Sequence, residues 1–107
     1  MSIKYRTKRP DTVMKQIGKS LKPYDDAHPT ANIELDRWSN VSVRIRIIDQ
    51  DFRGKSRSDR EMEIWPLFDV LSEDAVADVS MLLLITPEEK DESLASFEFD
   101  HPTKSMI

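Results

Sequence analysis

The chain has 107 residues, of which 38% are hydrophobic and 34% charged, and this composition suits one small folded domain rather than a disordered segment. It contains no cysteine, so disulfides, thiolate catalysis and cysteine-ligated metal or iron–sulfur centres within this chain are excluded. Only two glycines are present, which argues against a glycine-rich phosphate-binding loop. No apolar run approaches the ~20 residues of a membrane span.

Charge is unevenly distributed along the chain, although the net charge is only −4. Residues 1–22 carry seven Lys or Arg against one acid, whereas residues 69–100 carry ten acids against one Lys. The basic arm, residues 1–10, is expected to be flexible and solvated, and it could also meet phosphates, an acidic partner or the acidic end of the chain. Because the first residues are charged and lack the apolar core of a signal peptide, a cytoplasmic setting without membrane contact is expected.

The first half of the folded region, residues 11–97, is predicted to hold one helix and two strands. Asp11 is suited to cap a helix with an apolar stripe, which Pro23 should stop. IELDRW and SVRIRIID are then predicted to form an antiparallel hairpin, with about four residues, 37–40, between the strands. The second strand alternates apolar and mostly polar residues, which is typical of a half-buried strand.

The second half is predicted to alternate helices with one strand. A helix follows the DFRGKS turn, and Pro66 should kink or restart it. Ser72 is suited to cap a short helix, and the apolar run 79–86 favours a strand that is buried on both faces. Thr86-Pro87-Glu88-Glu89 then has the pattern of a capping box, with Pro87 at the first helical position and Glu89 at the third. The last helix should reach residue 95 or 97, and residues 98–107 should form a tail.

The resulting order of elements is helix, strand, strand, helix, strand, helix. It predicts a single α/β (α+β) domain with a three-stranded mixed sheet packed by helices. The third strand follows a helical crossover, so it should join parallel to a neighbouring strand.

The Gly-Lys-Ser triplet at residues 54–56 invites a phosphate-binding interpretation. A P-loop needs a second glycine five positions before Gly54, where Asp49 stands instead. A KH-type GXXG clamp needs a glycine where Arg57 stands. Two interpretations stay open: a salt-bridged surface turn, or a phosphate contact through four clustered cations, Arg53, Lys55, Arg57 and Arg60.

No catalytic or metal-ligating set is evident in the sequence, and no cofactor is expected. His28 and His101 lack the spacing of a metal site, and Ser56, Ser58 and Ser80 have no histidine signature nearby. The best candidates for contact with a protein partner are aromatic: Trp38 in the hairpin, and Phe97 and Phe99 near the C-terminus.

The central segment resembles the BolA-like protein family. The family pattern of an alternating strand, a turn, Phe-x-Gly-Lys-Ser, three residues and Arg is matched by Phe52, Gly54, Lys55, Ser56 and Arg60. The SMLLLITPEE segment resembles the last strand of the family and the helix start after it, and the resemblance covers roughly residues 12–92. It implies a KH-like α-β-β-α-β-α fold without enzymatic activity. It also implies association with iron–sulfur trafficking beside monothiol glutaredoxins, or with stress-linked transcriptional regulation.

The chain departs from the family at the positions that the resemblance assigns to cluster binding. Ala77 stands near the position of the family's ligand histidine, and the hairpin loop, residues 37–40, offers neither Cys nor His. Glu61 and Met62 replace the usual His-Arg that follows the motif. Soft iron needs thiolate or imidazole ligands, so the family's mode of cluster sharing is not expected here.

The expected function is therefore a non-catalytic protein-interaction or regulatory module, present as a monomer or a weak dimer. Its partner would be an unidentified protein that meets Trp38 or the region around Phe97 and Phe99. Nucleic-acid binding through the basic arm and the Phe-x-Gly-Lys-Ser turn is the first alternative. Iron–sulfur trafficking with a monothiol glutaredoxin is the second.

Overall fold

A computed structural model describes residues 3–101 of the chain; residues 1–2 of the predicted arm and 102–107 of the predicted tail lie outside that range. The predicted α/β class is confirmed, but the mixed sheet has four strands, in the order β1-β2-β3-β4, and not three. The strands are β1 Ile3–Tyr5, β2 Asn32–Ser39, β3 Ser42–Ile48 and β4 Val79–Ile85. The helices are α1 Thr12–Ala27, α2 Arg57–Ile64, α3 Glu73–Asp78, α4 Pro87–Lys90 and α5 Leu94–Asp100, with 3₁₀ helices at Gln50–Phe52 and Trp65–Val70.

The unpredicted strand, β1, lies within the basic arm and pairs parallel to β2, with Ile3 opposite Ile33 and Tyr5 opposite Leu35. Ile3 and Tyr5 are partly buried against the core. The Tyr5 hydroxyl lies so close to Gly18 of α1 that a Cβ there would clash with it. A strand of three residues among many charges has too weak a pattern to be recognised in the sequence. It can pack against α1 because residue 18 is glycine.

The hairpin of β2 and β3 is antiparallel, with Ile33 opposite Ile47 and Leu35 opposite Ile45. Its strands are longer than predicted, so only Asn40 and Val41 lie between them. β4 joins β3 in parallel after the helical crossover, as the sequence predicts.

Asp11 caps the N-terminus of helix α1, and its carboxylate accepts a hydrogen bond from the Met14 amide at 2.9 Å. The prediction that Pro23 ends this helix is wrong, because α1 continues through it to Ala27. Pro23 and Lys19 both lie on the exposed face of the helix. Water can therefore satisfy the Lys19 carbonyl that loses its amide partner.

The interrupted helix around Pro66 follows the sequence prediction. α2 ends at Ile64, and the chain changes to a 3₁₀ helix at Trp65–Val70 with Pro66 in its first turn. The predicted final helix is instead two helices, because Ser93 accepts a hydrogen bond from the Ser96 amide and so caps α5 separately from α4. None of the helices within residues 3–101 has the length and apolar character needed to cross a bilayer.

The apolar core lies between one face of the sheet and the helices α1 and α2 with the segments that follow them. Its completely buried members come from every layer of the domain: Met14, Ile17, Leu21, Ile33, Leu35, Val43, Ile45, Ile47, Phe52 and Ile64.

The opposite face of the sheet is also covered, which the alternating pattern of β3 did not predict. Arg44 is 7% and Arg46 only 2% exposed, since α5 lies across them. Phe99 of α5 is buried among three guanidinium groups, those of Arg6, Arg44 and Arg46, at 4.7–5.3 Å from its ring centre. The polar face of β3 is therefore covered by helix α5 and is not a solvated surface.

Because of the ion pairs on this face, the free energy of unfolding should decrease at acid pH. The hydrogen bond from Arg46, with a smaller contribution from that of Arg6, lowers the pKa of Asp100 from 3.8 to about 2. A carboxyl whose pKa is lower in the folded state stabilises fully above pH 4, and the effect is lost as the pH falls toward 2. We expect Asp100→Asn to lower the free energy of unfolding by at most about 2 kcal/mol at pH 6 and by much less at pH 2.5. Urea titrations of both proteins at these two pH values check this, and a difference that stays constant with pH would contradict it.

Candidate functional site: the groove beside strand β4

The Phe-x-Gly-Lys-Ser turn leads the chain from β3 into α2. Phe52 is completely buried. Gly54 has φ +75°, a left-handed conformation in which a side chain would be strained. The Ser56 hydroxyl accepts a hydrogen bond from the Asp59 amide at 3.1 Å and so caps α2.

Two cations of this turn, Arg53 and Lys55, and two of α2, Arg57 and Arg60, each face a carboxylate. Arg53 pairs with Glu88, Lys55 with Glu63 at 2.8 Å, Arg57 with Glu61 at 3.6 Å and Arg60 with Glu89 at 2.6 Å. Hydrogen bonds from Arg60 also lower the pKa of the Glu89 carboxyl. The cluster therefore presents little net positive charge to a phosphate backbone.

Arg60 of the Phe-x-Gly-Lys-Ser motif contacts Glu89 of the Thr-Pro-Glu-Glu motif, so the two motifs that carry the resemblance meet in the fold. Glu89 closes the capping box of α4: the Thr86 amide donates to its carboxylate at 2.8 Å, and the Thr86 hydroxyl accepts from the Glu89 amide at 3.2 Å. Arg60 donates to the same carboxylate and also to the main-chain oxygen of Leu84 at 3.0 Å. The start of α2 and the start of α4 are thus fixed to the C-terminal part of β4.

A groove of about 510 Å³ runs along β4 between these helices. Its floor is the apolar stretch Leu82–Ile85. One wall comes from the start of α2 and includes Lys55, Arg57 and Arg60, and the other comes from α4, α5 and the turn between them and includes Glu92 and Ala95. Ligand pockets in proteins commonly measure ~300–1,000 Å³, so the groove can hold a ligand or a short peptide segment.

Among residues 3–101, no strand pairs with the outer edge of β4, which is the last strand in the sheet order and forms the floor of the groove. The prediction that β4 is buried on both faces is wrong, because Leu82 and Leu83 are only partly buried. Leu84 and Ile85 are buried. The Ile85 oxygen accepts from the Asp49 amide at 2.9 Å and so faces β3. Because main-chain direction alternates along a strand, Leu82 and Leu84 direct their amide and carbonyl groups outward.

The aromatic candidates for partner binding have different environments. Trp38 is 46% exposed, and the Arg44 guanidinium lies 4.7 Å from its ring centre. Phe97 is 63% exposed on α5, whereas Phe99 is 1% exposed and packs inside the domain. Trp38 and Phe97 thus remain available for contact, but Phe99 is part of the fold.

A second groove, of about 540 Å³, lies between α1 and the 3₁₀ helix Trp65–Val70. Its walls include Pro23, Pro66 and the 81%-exposed Val70. It presents helix surfaces and no strand edge, so it lacks the main-chain groups that make the first groove suited to a peptide.

Comparisons with protein-family models, with curated proteins and with solved structures each found no match to this chain. The functional interpretation therefore rests on the geometry of the domain. Sequence reasoning found Lys55, Arg57 and Arg60 but missed Leu82, Glu92 and Ala95. Only the fold brings these residues together.

Proposed function

We propose that this protein is a non-catalytic interaction module on a BolA-like scaffold, and that it binds an extended segment of a protein partner as an added strand along β4. Apart from the additional elements β1, α3 and α4, the order α1, β2, β3, α2, β4, α5 is the one that the resemblance implies, and this supports the scaffold. The observation that carries the binding function is the free, apolar edge of β4 on the floor of a groove.

Strand addition uses main-chain hydrogen bonds for affinity and neighbouring pockets for side-chain selection. Leu82 offers both an outward amide and an outward carbonyl. The Leu84 carbonyl is already occupied by Arg60, which sets the point where the added strand should stop pairing. An exposed apolar edge is otherwise a liability that proteins cover or interrupt with charge, and Leu82–Ile85 contains no charged residue.

An extended peptide fits this edge better than a second copy of the chain. Paired strands lie about 4.8 Å apart. Side chains of α2 on one side and of α4 and α5 on the other line the groove beside this edge. A second copy would have to bring its own α2, α4 and α5 side chains into the same space, whereas an extended peptide carries no such helices.

The charges of the walls indicate the chemistry of the segment. The exposed Arg57 lies on the α2 wall and Glu92 on the opposite wall, with Leu82–Ile85 between them. A matching segment has apolar residues at its centre, an acidic residue directed toward Arg57 and a basic residue directed toward Glu92. The two walls therefore favour a peptide that carries both charges over a polyanion.

Nucleic acid is the less favoured partner for the same reasons. Phosphate binding requires basic groups that are free to replace counterions. Arg53, Lys55 and Arg60 are each paired with a glutamate, which leaves only the exposed Arg57, at 3.6 Å from Glu61, to face a ligand from this cluster; Arg6 of the basic arm pairs with Asp100 at 2.8 Å. Cluster sharing with a glutaredoxin is not part of the proposal, because Ala77 and the Asn40-Val41 turn supply no imidazole or thiolate.

Selection from a library of random ten-residue peptides tests the proposal. We expect peptides with an apolar centre to be enriched on the immobilised chain. Ala95→Trp, which places an indole in the groove, should weaken their binding at least about tenfold, the equivalent of about 1.4 kcal/mol. Fluorescence anisotropy of a labelled peptide measures the affinity.

Leu94→Trp is the matched control, since residue 94 lies on the same helix, is 87% exposed and does not line the groove. Its affinity should change less than twofold. Equal binding of the peptides to the Ala95→Trp variant and to the unmodified chain would contradict the proposal. So would tight, steeply salt-dependent binding of a single-stranded DNA or RNA probe without enrichment of any peptide.

A further inference from the structure

His28 lies between two carboxylates at the end of the sheet where β3 leaves it. Its Nδ1 atom is 2.8 Å from Asp51 Oδ2 and 3.2 Å from Asp49 Oδ2. The three ligand atoms all lie within 4.8 Å of one another. Asp49 is completely buried, while Asp51 and His28 are partly open to solvent, with side-chain exposures of 49% and 21%. The cluster thus has a buried base and an open side.

Neighbouring groups hold each member of the cluster in position. The Tyr24 hydroxyl donates to Asp49 Oδ2 at 2.5 Å, and the Asp51 amide donates to Asp49 Oδ1 at 3.0 Å. The Tyr24 ring stacks on the His28 ring with centres 3.9 Å apart. Such outer hydrogen bonds are what orient the ligands of metal sites.

Among the described residues, no permanent cation pairs directly with this cluster, although Lys55 interacts with both carboxylates from a longer distance. Within residues 3–101, no lysine or arginine side chain lies within 4.0 Å of either carboxylate, and the only ion-pair partner of both is His28. Other acids of the domain, such as Glu34 and Asp100, pair with arginines. A completely buried carboxylate beside a second one is costly unless a cation or a metal accompanies them.

We propose that His28, Asp49 and Asp51 form a binding site for a divalent transition-metal ion. Bonds of about 2.0–2.2 Å to imidazole nitrogen and carboxylate oxygen place adjacent ligand atoms roughly 3 Å apart, which is close to the separations of His28 Nδ1 from the two carboxylate oxygens. One imidazole and two carboxylates suit Zn²⁺, Co²⁺ or Mn²⁺ and not the soft Cu⁺. The solvent-facing side leaves room for water to complete the coordination.

The site was not apparent in the sequence because its ligands come from two separate segments. His28 caps the end of α1, and Asp49 caps the 3₁₀ helix at Gln50–Phe52. The fold joins them through the Tyr24–Asp49 hydrogen bond. The site is distinct from the β4 groove and does not depend on the proposed peptide function.

Titration of the untagged chain with ZnCl₂ and CoCl₂ tests the proposal. We expect one ion per chain by calorimetry, together with visible Co²⁺ absorption that Zn²⁺ removes. His28→Gln and Asp51→Asn each remove a ligand from the open side, and each should weaken Zn²⁺ binding at least about tenfold, the lower end of what loss of an outer hydrogen bond costs. Tyr24→Phe should weaken it by about 10–100-fold, because Asp49 loses its orienting donor.

His101→Gln and Asp26→Asn are matched controls, since each changes the same residue type at an exposed position that does not belong to the cluster. Both should bind Zn²⁺ as the unmodified chain does, and far-UV circular dichroism shows whether every variant is folded. Absence of 1:1 binding up to millimolar Zn²⁺ would overturn the proposal and leave the cluster as a hydrogen-bonded one only. Unchanged affinity in folded His28→Gln and Asp51→Asn variants would overturn it equally.

Discussion

Replacement of Arg46 by alanine is expected to lower the free energy of unfolding by about 3–5 kcal/mol, the usual cost of removing one partner from a buried ion pair. Arg46 donates to Glu34 at 2.7 Å, to Asp100 at 2.9 Å and to the Ser96 hydroxyl at 3.0 Å. Without it, the only ion pair that the buried Glu34 keeps within residues 3–101 is the one with Arg6, at 3.9 Å. The substitution also removes the guanidinium that lies 4.7 Å from the centre of the Phe99 ring. Both effects loosen α5 from the sheet.

Urea unfolding monitored by circular dichroism measures this loss. Arg57→Ala is the control, because its side chain is 90% exposed and its pair with Glu61 is solvated; we expect a change within about 0.5 kcal/mol. A loss below about 1 kcal/mol for Arg46→Ala, the range of a surface pair, would show that α5 does not depend on this ion pair.

Phe52→Ala is the second substitution with a large expected effect, about 3–5 kcal/mol for a completely buried phenylalanine. The ring lies 6.0 Å from that of Tyr24, and the Arg60 guanidinium lies 5.6 Å from its centre. Its loss opens a cavity beneath the turn that leads into α2. Because Arg60 forms part of a groove wall, peptide binding should weaken together with stability.

Phe97→Ala provides the comparison of the same chemical change on the surface. Phe97 is 63% exposed, so its free energy of unfolding should change by less than about 0.5 kcal/mol. Thermal and urea unfolding of both variants measure the contrast. Equal stability of the two variants would contradict the role of Phe52 as the anchor of the turn.

The elements that follow local rules were accessible from the sequence. Asp11, Ser72 and Thr86 cap helices where the capping pattern places them. The change of helix type at Trp65 follows from Pro66, which cannot donate a main-chain hydrogen bond. In each case the information lies within a few neighbouring residues.

Elements decided by distant contacts were not accessible. β1 forms a strand because Tyr5 packs against Gly18 of α1 and Ile3 lies opposite Ile33 of β2. The alternation of β3 was correctly interpreted as a strand, but nothing local indicates that Phe99, more than fifty residues later, would cover Arg44. An apolar run also looks the same at the edge of a sheet as at its centre, so the predicted burial of β4 on both faces was wrong.

The candidate sites also combine features that the sequence shows with features that only distant contacts decide. The cations of the Phe-x-Gly-Lys-Ser turn were evident as a group, but their glutamate partners come from α2 itself and from α4, and only the fold shows them to be paired. The groove residues Leu82 and Ala95 carry no recognisable motif. Sequence therefore located the turn, and the fold placed the apolar edge beside it.

Amide hydrogen exchange of Leu82, with and without a saturating selected peptide, tests the central claim most directly. If the peptide adds a strand to β4, the outward amides of Leu82 and Leu84 become hydrogen-bonded, and their exchange should slow while that of Val41 in the hairpin turn stays unchanged. Bound peptide that leaves exchange at Leu82 and Leu84 unaltered would contradict the assignment of the β4 edge as the partner site.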